Sequence, residues 1–199
     1  MKHSNATNLV ISSHNKNKIS EYNILLNDLN IELYSALQLG IEEPEETGSS
    51  FAENALIKAK ISGDATGKLS IGEDSGLLIN SLEGFPGIRS GRWAKEVGGY
   101  KLAFKELESL LENKPLDAYF QIVIALYCPN QKDSKIFQSR LDGFLKFPPK
   151  GNQGFGYDPI FVPKGYSKSL SELGQDVKRI LSHRAKCCKL LKNYLYESV

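Results

Sequence analysis

Apolar positions recur along this chain in two periods, and the switch between them lays out the elements. "NLVIS" (8–12) is a short run rich in β-branched residues, followed by the polar stretch "SHNKNK". Ile19, Tyr22, Leu25, Leu26 and Leu29 then return at three- and four-residue spacing, which predicts an amphipathic helix over 16–28. An acidic loop, "EEPEETG", leads to "SSFAENALIKAKISGDAT", where Ser50 and Glu53 have capping-box spacing and a helix is expected through Lys60 or slightly beyond. "LSIGEDSGLLINSL" (69–82) reads as two short strands, or one interrupted strand, about a pair of adjacent carboxylates.

Further along, "FPGIRSGRW" reads as loop, and Leu102, Leu107, Leu110 and Leu111 mark a helix closed by Pro115. "AYFQIVIALYC" (118–128) is the longest apolar β-rich run and predicts a central strand. "SKIFQSRLDGFLKF" predicts more strand, with a turn at Asp142-Gly143, and "GNQGFGYDPIFVP" is a glycine-rich loop entering a short apolar stretch. The last element is a helix with Ser182 as N-cap and a stripe of Cys187, Leu190, Leu191, Tyr194 and Leu195. Strands and helices mix throughout with no linker and no repeat, so the expectation is one α/β domain over residues 1–199.

Composition narrows the class. The 199 residues are enough to bury a core, and a net charge of +2 demands neither a nucleic-acid nor a membrane partner. No apolar run approaches the ~20 residues of a membrane span. "MKHSNATNLVISS" has no signal-peptide anatomy, and three cysteines form no disulfide framework, so a cytoplasmic protein with reduced thiols is expected. There is no CxxC or His/Cys cluster for zinc, no GxxxxGK[ST] phosphate loop and no GxSxG serine elbow.

Five positions remain as candidate chemistry. Ser13, His14, Asn15, Lys16, Asn17 and Lys18 lie between a strand and a helix start, a place that favours anions, although a polar loop with exposed lysines fits as well. Glu46 precedes a helix on which Asn54 and Lys58 share a face. Glu73 and Asp74 point to opposite faces if the strand is regular, and Asp-Ser-Gly is also good turn chemistry. Two or three carboxylates spread over different segments, such as Glu46 with either member of that pair, match the demand of Mg²⁺ for one or two acidic groups plus water and phosphate. Phe155, Gly156, Tyr157 and Asp158 offer rings and close backbone approach for a base. His183 and Arg184 follow Ser182 at a helix start, with Lys178 five residues before His183, a place for a phosphate or the carbonyl edge of a base, although a capped, exposed helix end fits as well.

In this order, "SSHNKNKISEYNILL", "EETGSSFAENALIKAK", "GEDSGLLINSLEGFPGIRSGRW", "GFGYDPIF" and "EL…K…SHRAK" resemble the inosine triphosphate pyrophosphatase family, the Ham1-like or noncanonical purine nucleoside triphosphate pyrophosphatases. The resemblance implies an elongated α/β fold: a long mixed central sheet flanked by helices, with two lobes around a nucleotide cleft, in a homodimer. It implies Mg²⁺-dependent hydrolysis of ITP, dITP and XTP to the monophosphate and pyrophosphate. Ser13 to Lys18 would hold the triphosphate, Glu46 and Asp74 the metal, and Asp74 would also be the general base. Ser75, Lys58 and Lys178 would contact substrate, and Phe155 to Asp158 with His183 and Arg184 would form the base pocket. Glu73 stands where the family commonly has Asp, and its part is left open. The alternatives are a pyrophosphatase for other modified or pyrimidine nucleotides, as in the similarly folded Maf-like proteins, or a nucleotide-binding protein without turnover.

Overall fold

The β-branched run that opens the sequence pattern becomes β1 (Thr7–Ser12), whose Leu9, Val10 and Ile11 are all buried. The computed structural model describes residues 7–198; residues 1–6, read above for leader anatomy, lie outside them. After β1 come α1 (Lys16–Leu25), β2 (Ile31–Ser35), α2 (Phe51–Thr66) and β3 (Leu69–Ile79). A 3₁₀ turn at Gly87–Arg89 runs into α3 (Ser90–Glu96), followed by α4 (Tyr100–Leu110), β4 (Asp117–Cys128) and β5 (Asp133–Leu145). The chain ends with β6 (Phe161–Pro163), α5 (Leu170–Leu181) and α6 (His183–Ser198).

Among the described residues the strands form one mixed sheet in the order β2-β1-β3-β4-β5-β6. β1 runs parallel to both β2 and β3, with Ser12 opposite Gly72, whereas β5 and β6 are antiparallel. The expected α/β class and the central place of the 118–128 strand both hold. The residues gather into two compact units. The first comprises the described residues of Met1–Asp74, Val123–Gln138 and Cys187–Val199; the second comprises Ser75–Ile122 and Ser139–Lys186. The second has its own apolar core, in which Leu77, Trp93, Phe104, Leu107, Phe120 and Phe161 are buried together.

Several boundaries differ from the sequence reading, each for a physical reason. α1 stops at Leu25 instead of reaching 28, since Asn27 and Asp28 favour turns and Leu29 N–H bonds back to the Leu26 carbonyl. α2 continues to Thr66, where Gly67 donates its N–H to the Gly63 carbonyl. β3 is one unbroken strand through Glu73 and Asp74, with no turn at Ser75-Gly76. A Cβ on Gly76 would lie 2.1 Å from the Gly87 carbonyl oxygen, so this glycine serves close packing. The turn expected at Asp142-Gly143 is likewise absent: β5 runs through it, and a Cβ on Gly143 would meet the Val162 carbonyl of β6 at 2.2 Å. "RSGRW" is helical as α3 because Trp93 and Ala94 turn into the core, and β2 and α5 are further elements the sequence reading passed over.

Candidate active site

In the first unit, alternation along β3 decides what each acid meets. Ser70 donates to the Ala59 carbonyl of α2 at 2.7 Å, and Gly72 is pressed against Ala55, Lys58 and Ala59. Two residues on, Asp74 faces the same helix: Asn54 Nδ2 donates to its Oδ2 at 3.1 Å, and Lys58 Nζ reaches Oδ1 at 3.3 Å. Glu73 points the other way, toward α1. There Tyr22 donates its hydroxyl to Oε2 at 2.6 Å and Lys18 Nζ lies 3.0 Å from Oε1. The divergence that strand geometry demands of neighbours is therefore realised.

Lys58 is the hub of the α2 side. Its ammonium also donates to Glu46 Oε1, in a short charge-assisted contact, and to the Glu73 carbonyl at 3.1 Å. Burial opposes its charge, but the Asp74 and Glu46 carboxylates outweigh that, so its pKa is held above the ordinary lysine value. Burial pushes the Asp74 carboxyl above its ordinary range; Lys58 pulls it down and the Glu46 charge pushes it further up. The Lys58 backbone is tied to β1 by a hydroxyl relay in which Ser62 Oγ donates to Ser12 Oγ at 2.8 Å and Ser12 Oγ donates to the Lys58 carbonyl at 2.6 Å. Asn54 is itself fixed, accepting the Gly48 N–H at 2.8 Å.

Glu46 and Asp74 thus come from a loop and a strand and converge on one cation, which is the donor set that suits a Mg²⁺ ion completing its shell with water and phosphate oxygens. Among the described residues, no group of three or more His, Cys, Asp and Glu side chains is placed to hold a metal ion. Glu53, read as half of a capping box, accepts from Ser49 N–H at 2.7 Å, while Ser50 Oγ caps Glu53 N–H.

The loop before α1 is largely occupied by its own bonds. Asn15 Oδ1 accepts the N–H groups of Asn17 and Lys18, at 3.0 and 3.3 Å, and Asn15 N–H donates to Ser13 Oγ. His14 Nε2 sits 2.7 Å from the Ile41 carbonyl and Lys18 is paired with Glu73, whereas Lys16 is exposed to solvent.

In the second unit, Asp158 is buried and closes the glycine loop on itself. Its Oδ2 accepts Phe155 N–H at 2.9 Å and the Lys178 ammonium at 2.7 Å, both members of that ion pair being nearly fully buried. Gly154 is required here, because a Cβ would stand 2.2 Å from Asp158 Oδ2 and its φ is +83°. Lys178 Nζ lies 4.2 Å from the Phe155 ring centroid and the Arg184 guanidinium 5.6 Å, so the ring is set against two cations. The His183 ring stacks on Phe120 at 4.8 Å. Tyr157, read as a ring for stacking on a base, is instead buried against Tyr100 and Phe104 and donates its hydroxyl to the Ser90 carbonyl at 2.9 Å. Burial raises its pKa far above the ordinary tyrosine value. Ser75 follows Asp74 on β3 and is partly exposed.

Of the residues singled out from sequence, Glu46, Lys58 and Asp74 meet in one cluster, and Phe155, Asp158, Lys178 and Arg184 in another. Tyr22 is read from sequence only as part of the apolar stripe of α1, Ser12 and Ser62 receive no part in the site, and Asn54 is visible only as a partner of Lys58 at four-residue spacing.

Residues 9–194 match the model of the Ham1 family. The chain is 41% identical to a dITP/XTP pyrophosphatase of Caulobacter vibrioides, with 95% of this chain and 98% of that protein covered. It is 38% identical to a protein of the same name from Brucella melitensis, over 92% and 90% of the two chains. Among solved structures, a HAM1 protein from Coxiella burnetii superposes with a TM-score of 0.88 at 33% identity, covering 96% of this chain and 99% of that one. The Ham1 protein of Staphylococcus aureus gives 0.85 at 32%, over 97% and 100%.

Proposed function

Because the chain belongs to the Ham1 family, we propose that it is a nucleoside triphosphate pyrophosphatase acting on noncanonical purine nucleotides such as ITP, dITP and XTP. The products are the nucleoside monophosphate and pyrophosphate. The uninterrupted match over residues 9–194 supports a single functional domain. The observation that carries the reading is the Lys58 clasp on Glu46 and Asp74, one cation of α2 holding an acid from the preceding loop and an acid from β3.

In the reaction, a water oxygen bonds to phosphorus while the P–O bond bridging the α- and β-phosphates breaks, and pyrophosphate leaves with its electron pair. Asp74 takes the proton of the attacking water; a carboxyl raised above its ordinary range is a better base than an exposed aspartate. Lys58 keeps Asp74 oriented and sets a fixed positive charge against the phosphate oxygens. Glu46 and Asp74 would hold Mg²⁺, which when bound neutralises charge on those oxygens. Lys16, Ser13 and the turn from His14 to Lys18 serve the triphosphate, and Ser75 and Lys178 contact substrate.

Base selection falls to Phe155, Gly156, Asp158, His183 and Arg184. Donors from His183, Arg184 and the loop backbone favour a 6-oxo purine and disfavour the 6-amino group of adenine. With Tyr157 buried, the stacking surface is Phe155. We extend the reading to a cytoplasmic homodimer without nucleic-acid or membrane partners; light scattering on the purified protein at twice the 22.1 kDa chain mass would support the dimer.

The test is a panel of ITP, XTP, ATP, dUTP and methylated nucleotides with Mg²⁺ and identified products. IMP with pyrophosphate from ITP, and little turnover of ATP, supports the reading. Orthophosphate as sole product, or preference for pyrimidine or methylated nucleotides, assigns the site to another reaction, and binding without turnover makes the protein a nucleotide sensor.

A further inference from the structure

Glu73 is left without a part in the reaction above, yet it is a buried carboxylate with two charged or polar partners on α1. An acid of this kind is stable inside a protein only if its partners stay in place, so it fixes them as firmly as they fix it. Tyr22, one of those partners, is completely buried, and Lys18 lies one turn earlier on the same helix face. Lys18 is also in the first turn of α1, and its N–H is one of the two that Asn15 caps. One carboxylate thus ties β3 to α1 at two points, and the first of them, Lys18, belongs to the turn assigned to the triphosphate.

We propose that Glu73 is a positioning residue: through Lys18 and Tyr22 it holds the Asn15–Lys18 turn in its binding conformation. Lys18 serves mainly as the anchor of that turn, leaving Lys16 as its outward charge. The extra methylene of glutamate over aspartate then has a use, since the carboxylate must reach a helix packed on the face of β3 opposite Asp74. The kinetic part of this inference rests on the pyrophosphatase reading, while its structural part does not.

Two measurements separate them. In the metal-free protein, amide hydrogen exchange read on peptides covering residues 15–25 should accelerate by about tenfold or more in Glu73→Gln and in Lys18→Met, with the rest of β3 unchanged. With ITP as substrate, both variants should raise KM by about tenfold while kcat stays within about twofold, because a displaced turn weakens binding more than chemistry. Glu73→Asp should recover part of the loss, and the Glu73→Gln/Lys18→Met pair should be no worse than the poorer single variant. Unchanged exchange at 15–25 overturns the proposal even if the enzyme is active. So does a fall in kcat with an altered Mg²⁺ requirement, which would make Glu73 a metal ligand, or full additivity of the two substitutions. If Glu73→Gln does not fold, Lys18→Met, which breaks the same ion pair from its more exposed side, decides by the same exchange readout. Absence of ITP turnover in the unaltered protein refutes the function and leaves the exchange experiment standing.

Discussion

Gly72→Ala should dismantle the reaction centre without touching one of its functional groups. The added Cβ would lie 2.1 Å from the Ala55 carbonyl oxygen, 2.5 Å from Ala59 N and 2.9 Å from Lys58 Cβ. The first two are backbone atoms of α2 and cannot rotate away. Ordinary contact begins near 3.4 Å, so the helix must retreat from β3 by a little over 1 Å. Asn54 and Lys58 retreat with it, and both of their bonds to Asp74 are already at 3.1 and 3.3 Å, with no slack for stretching. Overpacking of this kind costs about 1–3 kcal/mol, equivalent to a fall in Tm of about 2–12 °C for a chain of this size. A misplacement of about 1 Å in a catalytic constellation lowers turnover by roughly a hundredfold. The assay pairs thermal unfolding by circular dichroism with kcat for ITP. Gly91→Ala on α3 is the control: nothing lies within 4 Å of its Cβ, and alanine in an exposed helix should be neutral or stabilising by up to about 1 kcal/mol. If Gly72→Ala keeps the Tm and kcat of the unaltered protein, the tight seating of α2 on β3 does not position the cluster.

Asp74→Asn should preserve the circular dichroism spectrum and lower kcat by about 10²- to 10⁴-fold; turnover near normal would take Asp74 out of the mechanism. In metal-free protein, the Asp74 carboxyl followed by ¹³C NMR should titrate above its ordinary value of 3.8, move down in Glu46→Gln and move up in Lys58→Met. The sign for stability follows: the folded carboxyl holds its proton more tightly than the unfolded one, so its contribution is full below pH 3.8 and is lost as pH rises through the folded pKa. Denaturant titrations of Asp74→Asn and unaltered protein across that range would show the difference. Breaking the buried Asp158–Lys178 pair by Asp158→Ala or Lys178→Met should each cost about 3–5 kcal/mol in denaturant unfolding. The double variant should cost less than their sum, and additive losses would mean that the two groups do not stabilise each other.

How far the sequence reveals this site depends on the range of the contacts. The Asn54–Lys58 spacing and the divergence of Glu73 from Asp74 follow from helix and strand periods, and both appear in the structure as read. The Ser62–Ser12 relay and the Tyr22–Glu73 bond join residues about 50 positions apart, and no local pattern encodes which hydroxyl will meet which acid. Glycine misled in a consistent way. Gly76 and Gly143 sit beside polar residues that favour turns, but each is a place where another segment's carbonyl approaches too closely for a side chain. Local sequence cannot tell the two uses apart, since the deciding atom belongs to Gly87 in one case and Val162 in the other. Tyr157 failed for a related reason: a ring in a glycine loop is equally able to face a ligand or the core, and here the Ser90 carbonyl claims its hydroxyl.

The two faces of β3 carry an evolutionary consequence. Ser70, Gly72 and Asp74 look toward α2 while Glu73 looks toward α1, so the facing of each acid depends on its count along the strand. A single codon inserted or deleted within β3 ahead of Gly72, unless swallowed by a bulge, would offer Glu73 to Lys58 and turn Asp74 toward the α1 face. Every acid would still be present in the gene, and the protein would be inert. In descendants of this sequence the loops before and after β3 can change in length, whereas the strand from Ser70 to Asp74 cannot, since even a shift of two, which restores the facing, would bring a side chain to the close approach that Gly72 serves.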